Sequence, residues 1–216
     1  MSNSRALTKR KATAVVALKR RRHPNRALTE AEIRLLLSSV ESIRDDALIR
    51  LGLSIGLRVS EVVTIRTSEV DFDHGLIKIW DEKKDRWRHV MPTLEAIGVL
   101  KRYLNSLDRR TQYLFPLTTK TVERIIQRYS KRTLGFVISW HSLRTTYVSR
   151  SVELEQSPAV VMINTGDSPA TILKYYTKLP EVVMRRFVES KPVIPQERYK
   201  HTCLEGQMAL EQHFVA

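Results

Sequence analysis

At 216 residues the chain can bury one full core with a small appendage, and its formal net charge of +14 (37 Lys and Arg against 23 Asp and Glu) asks for a polyanionic partner, nucleic acid first. The single cysteine, Cys203, excludes an internal disulfide framework and suits a reducing interior. No stretch approaches the roughly 20 consecutive apolar residues of a membrane span, and the short Ala12–Leu18 run leads directly into Lys19-Arg20-Arg21-Arg22 without the small-residue cleavage site of a secretory signal, so cytoplasmic placement beside DNA is expected.

The charge excess is uneven. Residues 1–28 hold nine Lys or Arg and no acid, which reads as a solvated, flexible basic arm able to neutralise phosphates. Thr29-Glu30-Ala31-Glu32 then has the spacing of a capping box and starts a predicted helix with Ile33, Leu36, Leu37 and Val40 at helical intervals. A second helix is predicted from about Arg44 to Ile55, stopped by Gly56, and a third over 59–66. Ser68-Glu69-Val70-Asp71 reads as a turn. Between Leu76 and Met91 the period shortens to that of strands: Leu76–Trp80, a polar connection over 81–85, then Arg86–Val90, the one β-hairpin the sequence supports. From Thr93 the pattern is helical again, over about 93–107, 119–133, 141–154, 157–164, 169–177 and 180–189. A mostly α domain with one small antiparallel β-sheet is therefore expected over 29–190. It is followed by a tail, 191–216, whose pattern fixes no element and which is expected either to dock on a neighbouring protomer or to fray.

Five residues scattered along this frame suit one chemistry. Negative charge accumulates on the oxygens of a phosphodiester as it is attacked, and planar, permanently charged guanidinium groups can meet it with paired hydrogen bonds. Arg58 and Arg144 are the candidate pair. His141 lies one helical turn before Arg144 and shares its face, where it can donate a hydrogen bond or handle a proton. An ammonium at the hairpin tip, Lys84 or its neighbour Lys83, can serve as general acid for a leaving oxygen. Tyr176 falls on the last turn of a short helix capped by Ser168 with Pro169 in its first position, and a phenol activated by nearby cations can act as nucleophile.

In order, the stretches Gly56-Leu57-Arg58-Val59-Ser60-Glu61, Lys83-Lys84, His141-Ser142-Leu143-Arg144, Gly166-Asp167-Ser168 and Tyr175-Tyr176-Thr177 resemble the tyrosine recombinase (phage integrase) family, over roughly Leu28 to Ser190. The resemblance implies that family's catalytic-domain fold. It also implies cleavage and rejoining of duplex DNA through a 3′-phosphotyrosyl intermediate, with no metal and no cofactor. It further implies a homotetramer on DNA, DNA-bending accessory proteins, and a source in a virus, plasmid or other mobile element. It makes Arg58, Lys84, His141, Arg144, Asp167 and Tyr176 the catalytic set. Lys84 is preferred by its distance from the strand end at Val90 and Pro92, and Tyr176 by its place before Thr177, nine residues after Asp167.

Two departures from the family pattern stand out. Asp167 occupies the place where the family has His or Trp. A carboxylate there repels phosphate, so it is either protonated, turned toward Arg144 or Arg58 as a buttress, or a mark of weakened chemistry; buttressing with a lower intrinsic rate is expected. Only about 28 residues precede the domain, where the family has a separate DNA-clamping domain. The alternatives are a DNA-binding relative that has lost turnover, a type IB topoisomerase with the same catalytic constellation, and a basic helical ribonucleoprotein.

Overall fold

A computed structural model describes residues 25–107, 111–177 and Arg185. The basic arm up to Pro24, the tail over 191–216 and, Arg185 apart, the helix expected over 180–189 lie outside the described residues. The chain divides into two units after Thr177, ahead of the 190/191 boundary expected from sequence, and the elements below belong to the first. They are α1 (Glu30–Ser38), α2 (Ile43–Ile55), α3 (Val59–Thr64), a 3-10 turn (Thr67–Glu69), β1 (Val70–Asp71), β2 (Leu76–Asp81), β3 (Arg86–Val90), α4 (Leu94–Asn105), α5 (Thr119–Leu134), α6 (Trp140–Glu153), α7 (Pro158–Thr165) and α8 (Pro169–Tyr176).

The capping box forms as its spacing predicts: the Glu32 amide donates to Thr29 Oγ1 (3.3 Å) and the Thr29 amide donates back to the Glu32 carboxylate (3.0 Å). The same carboxylate accepts two hydrogen bonds from Arg26, at 2.9 and 2.7 Å. Burial raises the pKa of Glu32, but the bonds from Arg26 and Thr29 outweigh it and hold the group at about 2. Arg26 also lies over the Phe136 ring, and Leu28 is buried with its amide donating to Thr146 Oγ1 (2.9 Å). The packed body therefore begins by Arg26, within the stretch read as the basic arm.

Helix α2 forms the centre of the core. Its Leu48, Ile49, Leu51 and Ile55 are fully buried, and it packs on α4 and α6. The α6 ring of Trp140 reaches back under it, with Nε1 donating to Leu57 O (2.8 Å). Gly56 ends α2 in the left-handed region (φ +62°), where a Cβ would also stand 2.8 Å from the Tyr147 ring, so both backbone and space favour glycine. The turn it makes sets Arg58 at the N-cap of α3.

The sheet has order β1-β2-β3, all antiparallel, with Val70 opposite Ile77 and a β2–β3 register running from Ile77–Val90 to Asp81–Arg86. The stretch read as a turn thus holds the 3-10 turn and a two-residue strand, too short to show alternation. On β2, Ile77, Ile79 and Asp81 face inward while Lys78 and Trp80 are exposed. The cross-strand pair Trp80–Trp87 meets edge to face on the outer side, with centroids 5.2 Å apart.

Candidate active site

Three element junctions converge on one charged cluster. Arg144, two residues after Ser142 on α6, is only 5 % exposed. Its Nη1 donates to Gly56 O (2.6 Å) and its Nη2 to Thr165 O (2.8 Å), the carbonyls that end α2 and α7. A guanidinium is well placed there, because the C-terminal carbonyls of helices carry partial negative charge. Burial draws the Arg144 pKa below its usual value, and Arg58 adds to that, while Asp167 opposes it.

Asp167 lies between the two candidate arginines. Its Oδ1 is 2.6 Å from Arg144 Nη2 and 3.3 Å from Arg58 Nη2, and its amide donates to Thr165 Oγ1 (3.2 Å). With 20 % of its side chain exposed, the carboxylate sits at the mouth of the cluster. Arg58 is further held by Glu61, whose carboxylate caps the Arg58 amide (2.8 Å) and accepts from Nη1 (2.9 Å).

Beneath these lies a pair that the sequence reading assigned no role, Asp81 and Arg88. Glu61 Oε1 is 3.0 Å from Arg88 Nη1, and Asp81 is 3.9 Å from Arg58 Nη1 and 3.7 Å from Arg88 Nη1. The Glu61–Arg88 contact is close without the alignment of a hydrogen bond: Arg88 Nε and Nη1 and Asp81 Oδ2 are buried and have no hydrogen-bond partner. Arg88 Nη2 reaches Asn164 O at 3.5 Å. The cluster therefore sets Arg58, Arg88 and Arg144 against Glu61, Asp81 and Asp167. One signal in the sequence could have found Arg88, since the hairpin register puts it opposite the inward-facing Ile79.

The remaining predicted residues are placed differently. Of the two hairpin lysines, Lys83 lines a cavity of about 710 Å³ that also takes in Arg58, Glu61, Trp80 and Tyr113. Lys84, preferred from sequence, is exposed and does not line that cavity; its amide closes the turn on Asp81 O (3.0 Å). His141 is exposed in the first turn of α6, beside buried Trp140 and a turn ahead of buried Arg144. Tyr176 ends α8, as predicted, but its hydroxyl donates to Gln156 O at 2.6 Å. Burial and then neighbouring Tyr147 push its pKa above the usual phenol value, the reverse of activation. Arg58, Arg144 and Asp167 are thus brought together, and the Tyr176 hydroxyl is engaged elsewhere. Among the described residues no group of three or more His, Cys, Asp or Glu is arranged to hold a metal ion, and no helix is long and apolar enough to cross a membrane.

This architecture is that of tyrosine recombinase catalytic domains. The crystal structure of XerA recombinase superposes with a TM-score of 0.67 at 23 % identity, covering 80 % of this chain and 67 % of that one. A Tn1549 transposon integrase in complex with circular intermediate DNA gives 0.63 at 18 % identity, covering 79 % and 68 %. The chain belongs to the Phage integrase family, whose sequence profile matches residues 26–181. Curated relatives include the tyrosine recombinase XerA of Pyrococcus horikoshii, 26 % identical over 178 residues (78 % of this chain, 62 % of the relative). The tyrosine recombinase XerD of Pseudomonas aeruginosa is 28 % identical over 172 residues (71 % and 57 %). The chain spans about three fifths of the length of the curated relatives it matches.

Proposed function

We propose that the chain is the catalytic domain of a site-specific DNA recombinase that cleaves and rejoins duplex DNA through a 3′-phosphotyrosyl intermediate. The observation that carries this reading is the convergence of Arg58 and Arg144 on one anionic oxygen, that of Asp167. Two guanidinium groups that share a carboxylate oxygen are spaced to share a phosphate oxygen, the charge distribution that a phosphorane develops. In the proposed step the Tyr176 oxygen attacks phosphorus as its proton passes to solvent, a phosphotyrosyl bond forms, and the bond to the 5′ oxygen breaks. A hairpin lysine, Lys83 or Lys84, returns a proton to that oxygen. Arg58, Arg144 and His141 bear the charge, and the reverse attack by a new 5′ hydroxyl rejoins the strand with no net change in bond energy. Asp167 is read as the buttress of the arginine pair.

Duplex DNA as substrate is supported by the charge of +14 and by the DNA-bound integrases among the structural neighbours. A tetramer on two sites, accessory DNA-bending proteins and a cytoplasmic location belong to the same reading. The transposon and lambda integrases favour a mobile element as source, whereas the Xer-named relatives favour a recombinase of another kind. Whether the exchanged sites bound a movable segment separates the two.

The test is incubation with nicked duplex DNA selected for binding to this chain from a random-sequence pool. A denaturation-resistant adduct is expected, with the label mapping to the Tyr176 peptide by mass spectrometry and lost in Tyr176→Phe. Binding without adduct would establish the alternative that Asp167 and the Gln156-bound Tyr176 favour, a DNA-binding relative without turnover. Relaxation of a plasmid that lacks any selected site would instead mark topoisomerase activity.

A further inference from the structure

We propose that Arg88 is a positioning residue for Arg58, a role that rests on the recombinase reading. Glu61 and Asp81 are both buried, and each lies within 4 Å of Arg58 Nη1. Left alone with them, one guanidinium would face two carboxylates and be drawn inward, away from the open side where its Nη2 meets Asp167. Arg88 supplies the second positive charge from below, 3.0 Å from Glu61 and 3.7 Å from Asp81, with only 9 % of its side chain exposed. Arg58 is thereby left to divide its two nitrogens between Glu61 inside and the anion site outside.

Two features show that the site is built for the charge of Arg88. Its Nε and Nη1 have no aligned acceptor, so few hydrogen bonds would be lost if another cation stood there. Gly166, at φ +70°, leaves the space it needs: a Cβ at that position would stand 2.9 Å from Asp81 Oδ2 and 3.0 Å from Arg88 Cζ. The turn that carries Asp167 thus rests directly on the Arg88–Asp81 pair, and Arg88 Nη2 touches the Asn164 carbonyl at the end of α7. One largely enclosed cation adjoins both Arg58 and the Asp167 turn.

The test measures the rate of covalent adduct formation on the same nicked duplex, DNA affinity and thermal melting for four full-length chains: wild type, Arg88→Lys, Arg88→Met and Arg88→Met combined with Asp81→Asn. Positioning by charge predicts that Arg88→Lys stays within about fivefold of wild type. Arg88→Met should lose roughly 10- to 100-fold in rate, as loss of a supporting shell typically does, with affinity changed less than about threefold. The double variant, which restores the balance of charge, should recover at least tenfold of that rate. A purely packing role predicts instead that Arg88→Lys is as defective as Arg88→Met and that Asp81→Asn rescues nothing, and either result overturns the proposal. If Arg88→Met does not fold, Arg88→Lys and the double variant carry the same decision. If wild type yields no adduct, the recombinase reading fails by itself. Crystal structures of Arg88→Lys, the double variant and Arg88→Met beside wild type then decide: Arg58 must keep its contact with Asp167 in the first two and lose it in Arg88→Met, and an Arg58 indifferent to residue 88 overturns the inference.

Discussion

The arginine cluster and the Tyr176 end of α8 are built on opposite plans. Arg144 is fixed by two helix-terminal carbonyls and a carboxylate, and Arg58 by Glu61, Asp81 and Asp167, so each guanidinium is held by several partners at once. Tyr176 is tied by a single hydroxyl bond to the Gln156 carbonyl, at the edge of a small apolar cluster of Tyr147, Val148, Val161 and Ile172. On the proposed reading, the difference teaches that the anion-binding half is preorganised while the attacking half must be released. One neutral hydrogen bond is worth only about 0.5–1.5 kcal/mol net, so the phenol can be freed at little expense, whereas moving Arg144 would strand a buried charge.

The comparison can be broken most sharply at Arg144. Arg144→Met should cost about 3–5 kcal/mol of stability, because Gly56 O, Thr165 O and Asp167 lose their common donor, and should abolish the adduct; urea unfolding and the nicked-duplex assay measure the two effects. Next in size is Glu32→Gln, which tests whether the body is locked from Arg26 onward. Glu32 has a folded pKa of about 2, below its unfolded value, so its stabilisation is fully present above pH 4.5 and is lost as pH falls toward 2. The variant should be weaker by about 1–3 kcal/mol at pH 7 and equal to wild type near pH 2, as read from unfolding curves at both pH values.

Asp167→His removes the carboxylate that bridges the two arginines and should raise the rate of adduct formation by roughly tenfold, about 1.4 kcal/mol of barrier; an unchanged or lower rate would refute the reading of Asp167 as a buttress that lowers the intrinsic rate. The smallest effect sharpens the other half. Tyr176→Phe deletes the bond to Gln156 O and should lower stability by no more than about 1.5 kcal/mol, measured by thermal melting, while it removes all adduct.

Much of this was legible without coordinates wherever the cause is local. The capping box at Thr29 and Glu32, the αL stop at Gly56, the Ser168-Pro169 start of α8 and the alternation of β2 each depend on neighbouring residues in the chain, and each appears where its spacing puts it. The pairing of Arg58 with Arg144 was legible as a motif, although their separation in sequence carries no geometry. Strand β1 was not, since Val70 and Asp71 are a strand only because Ile77 and Leu76 lie opposite them.

By its own order of residues, then, the chain determined the helices of the described residues, its hairpin and its basic character, because periodicity, capping and charge act over a few neighbouring positions, and its motifs carried the family to which it belongs. Only the tertiary structure decided that Asp167 faces both arginines, that Lys83 rather than Lys84 lines the cavity, that Arg88 lies beneath Arg58, and that the Tyr176 hydroxyl rests on Gln156. Those outcomes depend on which distant segments share a buried volume, where a charge must find its partner among groups brought close by packing.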